Sequence, residues 1–383
     1  MQIDIALSTH PSSPALDLMP IPSYVEKLDD VVLESYEDGI PDFLESELGK
    51  LYRSVFSSLP QFRIHGGVDN AITYVARSGS RILSILIYRI EGRKAVVVNQ
   101  CFTLGDEEAS RFSRYIFKRY PAVDAVMFRF VDNRLHDLTY PALVHRCSED
   151  YVLTLPDSVD AYRSMLGKST RSYVNRYMNK LKREHPNFSF EVLTGEEICE
   201  EDVFAVFEMN RVRMAERGLI YGFAPDYPAK ATRLLRQAGM LCLLKIDGSI
   251  CAGTILYCVE GEVYLDVLAH KSEYREVGLG TLCCYLSICE CIHRNAKVYH
   301  FLWGRYDYKL RLGGIEKHLS EVMLYRSSLN MLLRPVPLLK QAAKGRFYAA
   351  KIWYQQFSEN EGPGARIIGK ILATLRRRRI EGV

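Results

Sequence analysis

Residues 270–294 read HKSEYREVGLGTLCCYLSICECIHR, and their reading decides the fold. Arg275, Gly278 and Gly280 stand ahead of an apolar, cysteine-rich run long enough for four helical turns. Glycines at 278 and 280 allow tight turning and remove side chains that would bar a bulky anion. The first turn of a helix starting near Leu279 would offer unpaired N–H groups and the positive end of its dipole. Arg275 adds a guanidinium able to fork two phosphate oxygens. The spacing therefore predicts a diphosphate cradle at the start of a helix.

What precedes this stretch places the cradle. "MLCLLKI", "ICAGTILYCV" and "EVYLDVLAH" alternate like strands, joined at Asp247-Gly248 and Glu260-Gly261. An Asp-Gly pair between apolar runs signals a two-residue hairpin. A dinucleotide site of the Rossmann kind would need G-x-G-x-x-G after a parallel strand, whereas this cradle follows an antiparallel one. A strand "KVYHFLW" follows the helix, and "LSEVMLYRS" (319–327) reads as a last strand. Helices are expected at about 160–184, 201–217 and 226–238.

The first half has the same order. A helical spacing over 43–59 leads into the strand-like runs "AITYVAR", "RILSILIYRI" and "KAVVVNQC", then a helix at about 106–119 and the strand "AVDAVMFRF". The fold class expected is α/β (α+β): two tandem units, each a mixed, mainly antiparallel sheet flanked by helices. Their expected limits are 41–155 and 156–330, between an acidic leader (1–40) and a basic amphipathic tail (331–383). The helix slot of the first unit opens on Asp106, Glu107 and Glu108. These acids suit the helix dipole but would repel pyrophosphate. Only the second unit is built for an anion.

Composition narrows the function classes. Hydrophobic residues at 48% and charged residues at 25% are globular averages, which argues against wholesale disorder. No basic-then-apolar leader opens the sequence and no apolar run reaches the ~20 residues of a membrane span, so a cytoplasmic protein is expected. Six of the ten cysteines (Cys242, Cys251, Cys258, Cys283, Cys284, Cys289) fall in apolar segments and no CxxC pair occurs. Reduced, buried thiols are expected, and no metal. The net charge of +4 hides opposed ends. Residues 1–50 carry eleven acids against Lys27 and Lys50, and residues 334–383 carry eleven bases against Glu359, Glu361 and Glu381. The basic tail fits either docking on its own domain or peripheral contact with an anionic membrane at its inner face.

The strand–"YREVGLGT"–helix stretch resembles the acyl-CoA signature (R/Q-x-x-G-x-G/A) of the GNAT acyltransferase superfamily. "VYHFLWGRYDYKLRLGG" (298–314) resembles the strand-loop of its CelD/BcsL-type branch, through Gly304, Tyr308, Lys309 and Gly313. "LGKSTRSYVNRYMNKLKRE" is similar to that branch's Arg-rich helix. One departure is His300, where the branch has an aspartate. The resemblance implies a tandem GNAT pair, a form also seen in Fem-type transferases that use aminoacyl-tRNA. It further implies acetyl-CoA or a longer acyl-CoA as co-substrate, its pantetheine along Val267, Leu268 and Ala269. The diphosphate would lie on the N–H groups of Arg275, Glu276, Val277, Gly278, Leu279, Gly280 and Thr281.

Acyl transfer to an amine needs a base, a polarised carbonyl and a proton for the leaving thiolate. Tyr308 is the expected proton donor, a tyrosine near the sulfur being common in this superfamily. Asp266, His300 and Asp307 are the nearest bases; Asp266 has the better position, on the strand lining the acyl site. Lys309 and Arg171 are the expected substrate anchors. Residues 161–183 carry seven Lys/Arg (Arg163, Lys168, Arg171, Arg176, Lys180, Lys182, Arg183) and no acid, a charge suited to phosphate, an anionic acceptor or a tRNA backbone, or to a solvated face. The function expected is an acyl-CoA-dependent N-acyltransferase acting on a small-molecule amine or sugar precursor. The alternatives are a Fem-type transferase, which an intact cradle disfavours because tRNA needs none, and a non-catalytic scaffold of an envelope polysaccharide system.

Overall fold

A computed structural model of the chain describes residues 20–332 apart from residues 38, 219 and 220. The expected basic tail beyond residue 332 lies outside them, as do the membrane contacts proposed for it. Among the described residues, no helix is long and apolar enough to cross a membrane.

The first half runs β1 (Tyr24–Leu28), β2 (Val31–Tyr36), α1 (Glu45–Tyr52), α2 (Leu59–His65), β3 (Ile72–Ser78), β4 (Arg81–Glu91), β5 (Lys94–Val97), β6 (Thr103–Gly105), α3 (Asp106–Arg119), β7 (Ala125–Arg134) and β8 (Ala142–Thr154). The second runs α4 (Val159–Met165), α5 (Lys168–Glu184), β9 (Phe188–Thr194), α6 (Glu200–Glu216), α7 (Tyr227–Ala238), β10 (Gly239–Ile246), β11 (Ser249–Val259), β12 (Glu262–His270), α8 (Leu279–His293), β13 (Val298–His300), α9 (Asp307–Arg311), β14 (Ile315–Tyr325) and α10 (Ser328–Leu332). The fold is mixed α/β on a large, mostly antiparallel sheet, as the sequence predicted.

Sheet order is β1-β2-β3-β4-β5-β7-β14-β8-β13-β12-β11-β10-β9, with β6 beside β7. The halves exchange strands. β14 of the second half inserts between β7 and β8, and β8 of the first half pairs with β13. Both hairpin signals hold: Asp247 and Gly248, then Glu260 and Gly261, all take positive φ between Ile246 and Ser249 and between Val259 and Glu262. Two left-handed residues in a row match the twist of the strands they join.

Each half buries two helical faces. In the second, α4, α5 and α8 cover one face, and α6 and α7 the other. Apolar residues surround α8, and it is correspondingly buried nearly all round.

Three expectations need revision, and one strand went unforeseen. Residues 24–36 of the supposed leader form β1 and β2, with Leu33 and Tyr36 buried; Glu34 alternates with the buried Leu33 and Ser35 and pairs with Arg77, while Glu26 lies on the half-buried face of β1 and pairs with Lys118 of α3. The helix expected over 160–184 breaks between α4 and α5, where Leu166 and Gly167 are extended. The helix expected over 43–59 stops where Arg53 turns left-handed. β8, which was not among the expected strands, carries Ser148, Glu149 and Asp150, and all three are buried.

Candidate active site

β12 and β13 pair in parallel only at Glu262–Val298, Val263–Tyr299 and Tyr264–His300. Beyond those three rungs they part. A β-bulge against β11 falls at Asp266, since Leu265 faces Leu256 and Val267 faces the next residue, Ile255. Bulges bend a strand and re-aim side chains. Here the bend opens a V between β12 and residues 301–303. A cavity of about 230 Å³ sits in it, lined by Asp266, Val267, Leu268, Arg213, Trp303 and Tyr308 among others.

Two further cavities adjoin it, each sharing one wall residue with it. Arg213 is shared with a cavity of about 250 Å³ at the N-terminus of α8, lined also by Arg217, His270, Ser272, Gly278, Leu279, Gly280 and Thr281. Tyr308 is shared with a larger one of about 650 Å³ between the starts of α5 and α8, walled by Ser169, Tyr173, Arg176 and Arg311.

α8 begins at Gly278, whose φ of 61° is left-handed, with no side-chain cap and no acid in the first turn. Val277 and Leu279 are buried beside it and Glu276 is exposed. The Arg275 side chain lies outside the described residues. An uncapped N-terminus beside Arg213 and Arg217 fits an anion as large as a diphosphate. The two glycines serve the protein as well. A β-carbon on Gly278 would stand 2.8 Å from Tyr173 Oη, and one on Gly280 would stand 2.5 Å from His270 Cδ2. Gly280 thus lets α8 approach His270 of β12.

The candidate bases separate sharply. Asp266 accepts from Tyr227 Oη at 3.1 Å and Tyr257 Oη at 3.3 Å. Burial raises its pKa to about 6, while the two tyrosine hydrogen bonds hold it down. It faces the cavity, and a carboxyl with a pKa raised to about 6 suits a base working near neutral pH.

His300 is a different case, and the expectation of a catalytic role gives way. Its Nδ1 is 2.6 Å from Asp150 Oδ2, its Nε2 2.9 Å from Glu262 Oε2, and its ring stacks on Tyr264 at 4.2 Å. Burial alone would lower its pKa, but the hydrogen bonds to Asp150 and Glu262 raise it to about 9. Held as an imidazolium with both nitrogens engaged, it has no lone pair to offer. Asp307 is exposed and paired with Arg311 at 3.1 Å.

Tyr308, on α9, reaches both cavities, and burial lifts its pKa well above the ordinary value. It therefore stays protonated. Lys309 is 2% exposed and donates to Leu302 O at 2.9 Å and Trp303 O at 2.6 Å. Burial lowers its pKa to about 8. Two of its three donors are on backbone, so Lys309 fixes the loop; this replaces the expected substrate anchor. Arg171 likewise donates to Ser164 O and Leu166 O at 3.1 and 2.6 Å, capping α4, and lines none of the three cavities. Its role as an anchor is corrected on that ground.

Sequence reasoning missed Arg213. On α6 it donates to Leu268 O at 3.1 Å, its Nε is buried with no hydrogen-bond partner, and it borders two cavities. One signal existed: "NRVRMAERG" puts Arg211 and Arg213 on, and Arg217 just past, a helix whose other charges are acidic. Among the described residues, no cluster of His, Cys, Asp and Glu has the arrangement to hold a metal.

Residues 168–310 match the sequence family described as "Acetyltransferase (GNAT) domain". No curated protein matches the chain by sequence. Among solved structures, the crystal structure of FemX is similar with a TM-score of 0.58 at 10% identity, covering 79% of this chain and 99% of that one. A protein from Bacteroides thetaiotaomicron gives 0.48 at 8% identity, covering 76% and 99%. A tandem GNAT protein from the clavulanic acid biosynthesis pathway gives 0.39 at 13%, covering 76% and 98%. The likeness to FemX is one of fold.

Proposed function

We propose that the chain, which carries a GNAT acetyltransferase domain match over residues 168–310, is an acyl-CoA-dependent N-acyltransferase of the CelD/BcsL-type branch, acting on a small-molecule amine or a sugar precursor. The observation that carries this reading is that the cavity in the open V and the one at the uncapped start of α8 adjoin at Arg213. A diphosphate at Gly278–Thr281 and a thioester between β12 and Trp303 would lie in one trough.

In that trough the chain's own groups divide the proton work. The amine nitrogen bonds to the thioester carbonyl carbon and the carbon–sulfur bond breaks. Asp266 takes the proton that the amine gives up, and Tyr308 gives a proton to the departing sulfur. Edge N–H groups of β12 face the carbonyl oxygen as negative charge grows there. The unpartnered Nε of Arg213 adds positive potential at the diphosphate end.

Aminoacyl-tRNA as donor is the second reading, favoured by the exposed bases Arg163, Lys168, Arg176, Lys182 and Arg183 around α5. Calorimetric titration of the protein with CoA, acetyl-CoA and longer acyl-CoAs separates the two. Micromolar binding weakened by Arg213→Ala supports the CoA donor. No binding to any of them would remove it and move the reading to charged tRNA.

A further inference from the structure

The bulge at Asp266 starts the V, and what keeps its lips from pairing beyond the bend lies in their carbonyl groups. Lys271 N donates to Cys251 O at 2.9 Å, so by the strand period Ala269 and Val267 face β11 while Leu268 faces the open edge. On the other lip Phe301 N donates to Tyr151 O at 2.8 Å, which turns Leu302 toward β12. Two such edges with complementary N–H and C=O groups zip into a ladder unless something occupies them.

The first half of this chain shows the zipped form. After the parallel rungs of β5 and β7, Cys101 N donates to Phe130 O at 2.8 Å and Asp132 N to Phe102 O at 3.0 Å. β6 then continues the pairing through Thr103–Asp132, Leu104–Asn133 and Gly105–Arg134. No room for a ligand backbone is left between them.

In the second half the corresponding carbonyls are capped by side chains. Lys309 Nζ holds Leu302 O and Trp303 O, and Arg213 Nη1 holds Leu268 O. We propose that Lys309 and Arg213 act as a cationic wedge: by saturating the carbonyls of both lips they keep the strands apart and leave the edge N–H groups free as donors. In the wedge both act as positioning residues, Arg213 through its Nη1 while its Nε is left toward the diphosphate end. Burying an ammonium and a guanidinium for this is unfavourable, as the lowered pKa of each shows. Locally unfavourable burial of this kind is expected at functional sites. The wedge's use for a thioester rests on the acyltransfer reading, but its existence does not.

Hydrogen exchange read by mass spectrometry on the full chain tests it, following peptides over residues 262–271 and 298–306. Removing the wedge with Arg213→Met, and separately Lys309→Met, lets the lips pair. Exchange there should slow by ~10-fold or more even as overall stability falls, whereas residues 94–105 should keep their rate. Arg213→Lys, which restores a donor, should return the wild-type rate. A merely structural loss would speed exchange instead. Unchanged or faster exchange in the Arg213→Met lips overturns the wedge, even if Lys309→Met fails to fold. Slower exchange with CoA affinity unaltered would keep the wedge and count against the acyl-CoA reading.

Discussion

Phe130 and Leu302 both take left-handed backbone, with φ of 53° and 56°, just past the parallel rungs of their halves, and their carbonyls go to opposite kinds of partner. Phe130 O accepts the Cys101 amide; Leu302 O accepts the Lys309 ammonium. The first contact closes a sheet and the second keeps one open. The same contrast appears at the helices that follow. Asp106 at the start of α3 accepts from the amides of His136 and Asp137, filling with protein the space an anion would take. α8 has no acid there.

Tyr308→Phe should lower kcat by ~100-fold or more while leaving CoA affinity near wild type, because the lost group acts on the leaving sulfur. Steady-state kinetics beside calorimetry read the two effects. Equal losses in both would make Tyr308 a packing residue.

Asp266 sets a pH dependence. With its pKa raised to about 6, kcat/KM should fall as pH drops through about 6, where the base becomes protonated. Tyr227→Phe removes a hydrogen bond that favours the carboxylate, so the acid limb should move to higher pH. Asp266→Asn should abolish the limb together with most of the activity. A limb that stays put in Tyr227→Phe would assign it to another group.

His300 should matter to stability. Its folded pKa, about 9, lies above the ordinary 6.5, so its contribution is full below pH 6.5 and is lost as pH rises through about 9. Wild-type Tm should therefore fall across pH 7–9.5. His300→Gln should have a lower Tm at pH 7 and a flatter profile over that range, with the Asp150–Glu262 repulsion unrelieved. A Tm unchanged by the substitution at pH 7 would contradict the clamp.

Gly280→Ala should destabilise by ~1–3 kcal/mol, since its β-carbon would meet His270 Cδ2 at 2.5 Å. Adding His270→Ala should recover much of that loss, a coupling that denaturation of the two single variants and the double variant would measure. Additive losses would mean that the glycine is needed for something other than this ring.

Much of this was present in the sequence. Alternation in "ICAGTILYCV" and "EVYLDVLAH", and the turns at Asp247-Gly248 and Glu260-Gly261, fixed the antiparallel hairpins, because period and turn chemistry are local properties. The Gly278-x-Gly280 spacing before an apolar run placed the start of α8 for the same reason. Strand exchange between β8 and β14 was out of reach, since it depends on partners about 170 residues apart. So were the roles of individual ionisable groups. His300, Asp266 and Lys309 look equally chemical in one dimension. Folding gives His300 two carboxylates, Asp266 a pair of tyrosines beside a cavity, and Lys309 two carbonyls. A side chain's pKa and free lone pairs follow from what surrounds it, and only the tertiary structure brings those neighbours together.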